Sequence, residues 1–219
     1  MTQPTLDLAR DNMILNQVRS WGVLDENILE LLRRYPRERF VTAGYEKLAY
    51  ADTPLPLSGE RISLPPKLEA RLYQALDPQA HDRVLEVGTG SGYLTALLAS
   101  STEYITSIEV DENLAELARQ RLRAENLENV RIEIGDASRG WANHAPYDAI
   151  LVTSALAELP EEFIDQLAPG GRLVCMIGKQ LPAVCVKISR TTDGVVRQAL
   201  FETEVPYLTH GEPISVFEF

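Results

Sequence analysis

Cysteine is scarce: Cys175 and Cys185 are the only two in 219 residues, and each sits in an apolar run where a thiol behaves as a small buried hydrophobe. Neither has a second Cys or a His at ligand spacing, so no metal site is expected. Histidine is also sparse. His81, His144 and His210 fall in no recognisable base motif and read as surface or turn residues. Long apolar runs are missing: no stretch approaches the roughly 18 apolar residues of a membrane span. The start, Met1 to Asp11, is acidic and lacks an apolar leader core, so a reducing, cytoplasmic setting is expected. Positive charge is short as well. Lys and Arg number 21 against 32 Asp and Glu, and the formal net charge of −11 opposes the phosphate contacts that nucleic-acid binding needs. The one basic stretch, Arg33, Arg34, Arg37 and Arg39, is interleaved with Glu30 and Glu38 and reads as a solvated helix end. There is no internal repeat and no low-complexity tract.

What remains is ordinary globular composition, with 45% hydrophobic and 24% charged residues. The length suits a single domain with a substantial core. Leu6, Met13, Val18 and Trp21 recur at roughly helical spacing until Gly22, and a second helical segment runs from Asp25 to Pro36. Between Thr53 and Pro66, five prolines and glycines break any regular element, and a loop this long is usually functional. From Arg83 onward short apolar strands alternate with helices: strands at Val84–Val87, Ile105–Val110, Val130–Ile134, Tyr147–Val152 and Arg172–Ile177, helices at Tyr93–Ala99, Glu112–Glu125 and Glu161–Leu167. That alternation predicts an α/β, doubly wound, mostly parallel sheet with helices on both faces. Three strand-like runs without helices, Ala183–Ser189, Gln198–Val205 and Pro213–Phe219, predict an antiparallel edge. The expected division is a helical part and loop over 1–66, a core over 67–178 and carboxyl-terminal strands over 179–219.

In an open parallel sheet the ligand sits outside the carboxyl ends of the strands. Here the first strand runs into Glu86-Val87-Gly88-Thr89-Gly90-Ser91-Gly92-Tyr93. A dinucleotide fingerprint would place its third glycine at position 93, which is Tyr93, so the pattern is G-x-G-x-G preceded by an acidic residue. Glu109 closes the second strand, near the roughly 20-residue spacing of a carboxylate that accepts from ribose hydroxyls. Asp136 follows the third strand, where it could accept from an adenine amino group. One carboxylate after each of the first three strands describes a cradle for a nucleoside carrying little or no phosphate.

Through Glu86-x-Gly88-x-Gly90-x-Gly92, Glu109 and Asp136 the sequence resembles class I S-adenosylmethionine-dependent methyltransferases. More narrowly it resembles the protein-L-isoaspartate O-methyltransferase family over nearly the whole chain. The residues carrying this are Pro36-Arg37-Glu38-Arg39-Phe40-Val41, Leu48-Ala49-Tyr50, Ile62-Ser63, the glycine loop, Gly135-Asp136, Pro146-Tyr147-Asp148-Ala149-Ile150 and Pro169-Gly170-Gly171. The resemblance implies methyl transfer from S-adenosylmethionine to the abnormal carboxylate that arises when Asn or Asp residues of aged proteins rearrange. It implies protein or peptide substrates bearing that group, with no membrane or nucleic-acid partner. It places Ser63 on the family's active-site serine, and Gly88, Ser91, Glu109, Asp136 and Ala137 on cofactor contacts; Glu86, Gly90 and Gly92 complete the expected cofactor set. Pro206-Tyr207-Leu208-Thr209 resembles a carboxyl-terminal segment that helps close the site.

The chain departs from the family pattern at Arg61, usually Thr, at Ala137 after Gly-Asp, at Pro66-Lys67-Leu68-Glu69, which holds what looks like one extra residue, and at Ser154-Ala155-Leu156-Ala157. Arg61, Pro66–Glu69 and Ser154–Ala157 flank the acceptor's expected position, so transfer weaker than the family norm is expected. A related methyltransferase with another acceptor, and a cofactor-binding protein without transfer, are the competing readings. An aspartate-like carboxylate is ionised at neutral pH, so no general base is expected. Nothing in the sequence speaks to oligomeric state.

Overall fold

The computed structural model describes residues 3–214. α1 (Gln3–Met13) continues into a π-helical turn over Ile14–Val18 and a 3-10 turn over Arg19–Trp21, and Gly22 ends the run at φ 80°. α2 (Glu26–Arg34) begins where the Asp25 side chain accepts from the Asn27 N–H, satisfying a first-turn amide that has no helical partner. It stops ahead of Pro36, which biases its predecessor toward extended backbone. α3 (Pro66–Leu76) starts on a proline, whose missing N–H costs nothing at the first helical position.

β1 (Arg83–Val87), β2 (Tyr104–Glu109), β3 (Val130–Ile134), β4 (Tyr147–Leu156), β5 (Leu167–Ile177), β6 (Ala183–Thr191) and β7 (Gly194–Thr203) form one sheet in the order β3-β2-β1-β4-β5-β6-β7. The first five strands are parallel; β6 and β7 close the edge antiparallel, as expected. α4 (Tyr93–Ala99) joins β1 to β2, and α5 (Glu112–Ala124) joins β2 to β3. The helix expected over Glu161–Leu167 is the single turn α6 (Glu162–Asp165), because Leu167 already pairs with Tyr147 at the start of β5. β4 outruns its expected end at Val152, since Ala155 and Leu156 pair with Met176 and Ile177 after a register shift. Of the expected third carboxyl-terminal run, Pro213 and Ile214 lie in no strand, and positions 215–219 lie outside the described residues.

Strand alternation divides the core between the two sheet faces. Val84, Ala149, Leu151, Val174 and Met176 pack toward the helices of the first half. Leu85, Val87, Ile150, Val152 and Leu173 pack on the other side around Phe163 of α6. Cys185 belongs to the first layer and Cys175 to the second, so the sheet lies between them and both thiols are free. Burial pushes Cys185 up to about 12 and Cys175 higher still. No helix among the described residues is long and apolar enough to cross a membrane. The strand order reverses at β1, which leaves a crevice outside the carboxyl ends of β1, β2 and β4.

Candidate active site

That crevice is a cavity of about 400 Å³, within the usual range for small-molecule sites. Its floor comes from the ends of β1 and β2, the Gly135–Ala137 turn after β3, and Thr153 and Ser154 of β4. Its other walls are the Leu57–Leu64 loop and the Pro206–Thr209 segment. Ser63, Gly88, Gly90, Ser91, Glu109, Asp136 and Ala137, scattered along the sequence, all line it.

The glycine loop turns sharply, with Gly88 at φ 94°, Gly90 at 54° and Gly92 at 82°. A side chain at Gly88 is excluded twice, by its φ and because a Cβ would stand 2.3 Å from Thr153 Oγ1. That hydroxyl lies 3.0 and 2.9 Å from the Val87 and Gly88 carbonyl oxygens, tying β4 to the loop. Glu109 fixes the loop from the other side: its Oε2 accepts from the Gly90 N–H at 2.8 Å and its Oε1 from the Asp111 N–H at 3.0 Å. A carboxylate has about four lone-pair positions, so each oxygen keeps acceptor capacity at the cavity wall. Asp136 accepts from the Ser138 N–H through Oδ1 and meets His210 Nδ1 at 2.7 Å through Oδ2. Burial opposes its ionisation, but these two contacts hold it below the ordinary aspartate value. The same pair raises His210, through the hydrogen bond to Asp136.

Two members of the expected cofactor set do not line the cavity. Gly92 sits where α4 packs on α5, its Cα so close that a Cβ would be 3.2 Å from that of Ala118. Glu86 lies beneath the loop, because alternation turns it to the sheet face opposite Leu85 and Val87, under α4. It is fully buried, and its Oε2 accepts from Thr95 and Ser107 hydroxyls, both at 2.6 Å. Ser107 is also 2.6 Å from the Thr89 hydroxyl, so Glu86 holds the loop through a chain of hydroxyls. Burial raises Glu86 to about 7.

Ser63 comes from a small hairpin in the proline-rich loop. Pro56 bridges Ile62, the Leu57 N–H donates to the Arg61 carbonyl, and the Ser63 N–H donates to that of Leu55. The Ser63 hydroxyl oxygen accepts from the Leu55 N–H and from Arg37 Nη2, each at 3.2 Å. Arg37 is 1% exposed, contrary to the solvated helix end expected for its segment. Its Nε donates to Glu69 Oε2 at 2.8 Å, and its other nitrogens reach the Ala49 and Leu64 carbonyls. Glu69 is raised by its burial, with Arg37 pulling the other way.

A family model for protein-L-isoaspartate(D-aspartate) O-methyltransferases matches residues 9–212. The chain belongs to this family. It is 39% identical over 187 residues to protein-L-isoaspartate O-methyltransferase 1 of Syntrophobacter fumaroxidans, an alignment covering 85% of this chain and 87% of that one. Among solved structures, a protein-L-isoaspartate O-methyltransferase aligns with a TM-score of 0.80 and 26% identity, over 93% of this chain and 67% of the other. A Plasmodium falciparum protein described as a putative member, in complex with S-adenosyl-L-homocysteine, shares the fold with a TM-score of 0.75 at 22% identity, over 93% of this chain and 97% of that one.

Within this family member, the Arg37–Glu69 pair beneath Ser63 escaped sequence reasoning. Arg37 stood in a run of charges, and its partner lies 32 residues away in the stretch that holds what looks like one extra residue. Pro36 sets Arg37 at the start of a 3-10 turn, and Pro66 opens α3 with Glu69 in its first turn. His210, read as a surface or turn residue, is exposed and at φ 63°, and it also contacts Asp136.

Proposed function

We propose that this protein transfers a methyl group from S-adenosylmethionine to the carboxylate of L-isoaspartyl residues in damaged proteins or peptides, a repair reaction. The observation that carries the reading is that a single cavity joins Glu109 and Asp136, acceptors suited to a nucleoside, with the buried hydroxyl of Ser63. The residues fit the cofactor. Glu109 retains one free acceptor position on each oxygen, which suits the paired hydroxyls of a ribose, and Asp136 stands ready for an adenine amino group. The cavity wall carries Glu60, Glu109 and Asp136, which suits a ligand with a positive sulfur. Gly88, Gly90, Ser91 and Ala137 complete the holding surface, with Glu86 and Gly92 supporting it from behind. When bound, S-adenosylmethionine supplies an activated methyl group on a sulfonium.

The chain's own contribution is position. Both neighbours of the Ser63 oxygen are donors, so the hydroxyl hydrogen is left for an outside acceptor, which a carboxylate oxygen provides. The acceptor is already ionised at neutral pH and needs no base. Holding it in line is worth much, since effective molarities of well-oriented pairs reach about 10⁵–10⁸ M. In this reading the Leu57–Leu64 loop shapes the acceptor side, the strand ends of the core hold the cofactor and Pro206–Thr209 closes the site.

The test is an isoaspartyl peptide incubated with labelled cofactor. One methyl ester should form for each S-adenosylhomocysteine released. Ser63→Ala should slow transfer roughly ten- to a hundredfold, the worth of one hydrogen bond to an anion, with cofactor affinity unchanged. Normal cofactor binding with no transfer to the isoaspartyl peptide would refute the assignment.

A further inference from the structure

The cavity has a charge problem that its acceptor must solve. A carboxylate has to enter a chamber whose walls include Glu60, Glu109 and Asp136, with Glu69 already paired with Arg37, in a chain of net charge −11. Among the described residues that line it, Arg61 is the only cation. It stands at the turn of the hairpin that carries Ser63. In an extended segment residues two apart point to the same side, about 7 Å from one another. The Arg61 side chain is 43% exposed, whereas Ser63 is 6% exposed, so the pair runs from the mouth inward.

Arg61 is also lightly held. Its Nη1 lies 3.3 Å from Asp111 Oδ2, and its side chain is 43% exposed. Exposed pairs of this kind have small net worth. Asp111 does not depend on it: the cap of α5 is made by the other oxygen, Oδ1, which accepts from the Asn113 and Leu114 N–H groups. The guanidinium can exchange partners without disturbing either element.

Building on the isoaspartyl reading, we infer that Arg61 is the specificity residue that anchors a carboxylate of the acceptor peptide at the mouth. It leaves Asp111 and pairs with the incoming anion, which is thereby brought over Ser63. The anion is either the acceptor carboxylate itself or an acidic side chain beside it.

Steady-state kinetics on the full chain with two isoaspartyl peptides test this. In one the isoaspartyl group is the only anion; in the other a glutamate adjoins it. Arg61→Gln should raise KM about tenfold or more, the worth of a charged hydrogen bond, while kcat and cofactor affinity stay close to wild type. Arg61→Lys should recover much of the loss, and half-molar salt should shrink the difference. Arg33→Gln, remote from the cavity, serves as the charge control. A rise in KM with the first peptide names the acceptor carboxylate as partner, and a rise confined to the second names the neighbouring glutamate. Transfer with KM unchanged or lowered for both peptides overturns the inference alone, since Arg61 would then obstruct the mouth. Absence of transfer by the wild-type protein with cofactor bound overturns the isoaspartyl reading and this inference together.

Discussion

Glu86 offers the sharpest quantitative check. In the unfolded chain it releases its proton near 4.5; in the fold, burial holds the proton to about pH 7. Between those values the folded state binds more protons than the unfolded state, so this group's contribution to stability falls as pH rises and levels off above about 7. At about 1.4 kcal/mol per pH unit, the interval amounts to about 3 kcal/mol. Glu86→Gln removes the titration and keeps the shape. The amide oxygen can accept from Thr95 and Ser107, and the amide nitrogen takes the place of Oε1, which has no partner. That unpaired donor costs the variant a fixed amount at every pH. The diagnostic is therefore the slope: from pH 5 to pH 8, which spans most of that interval, the stability of the Glu86→Gln variant measured relative to wild type should climb by about 2–3 kcal/mol. Urea unfolding at several pH values, extrapolated linearly, gives both curves. A difference that stays flat across this range would refute the argument that burial governs Glu86.

Arg37→Met should destabilise the fold by about 3–5 kcal/mol, because it leaves Glu69 buried without its partner. Burial already raises Glu69 and losing Arg37 drives it higher still, so the deficit should grow as pH rises and shrink on acidification, as urea unfolding would reveal. Gly88→Ala places a methyl on the Thr153 hydroxyl, and calorimetry should show cofactor binding lost while circular dichroism keeps the native spectrum. Asp136→Asn should lower the titration midpoint of the His210 ring in NMR, since the aspartate is the first cause of its upward shift; an unmoved midpoint would mean the pair does not form in solution.

The parallel core was legible because its signals are local. Val84–Val87 is an apolar run that ends in glycines, and Glu109 follows at a spacing the sheet imposes. The antiparallel edge was legible from missing helices. The limits of β5 were not, because Leu167 looks like the end of a helix until it is paired with Tyr147. Residues that line the cavity from the end of their own strand could be picked out, as with Glu109 and Asp136. Glu86 could not be placed correctly, since deciding which sheet face it takes requires knowing that α4 covers it. The Arg37–Glu69 and Asp136–His210 pairs span 32 and 74 residues, and only the folded chain brings them together.

The Pro206–Thr209 segment is stitched to the sheet along a narrow seam. The Ala155 N–H donates to the Pro206 carbonyl, the Leu208 N–H to that of Ala155, and the Tyr207 hydroxyl to that of Gly178 at 2.8 Å. Each such bond contributes only about 0.5–1.5 kcal/mol net. Unzipping it leaves every β4–β5 pairing intact, so the seam belongs among the low-energy local openings of the fold, and its amides should exchange with deuterium well before those of the central strands. Because the seam forms one wall of the cavity, its opening would widen the crevice from the side without asking the sheet to move.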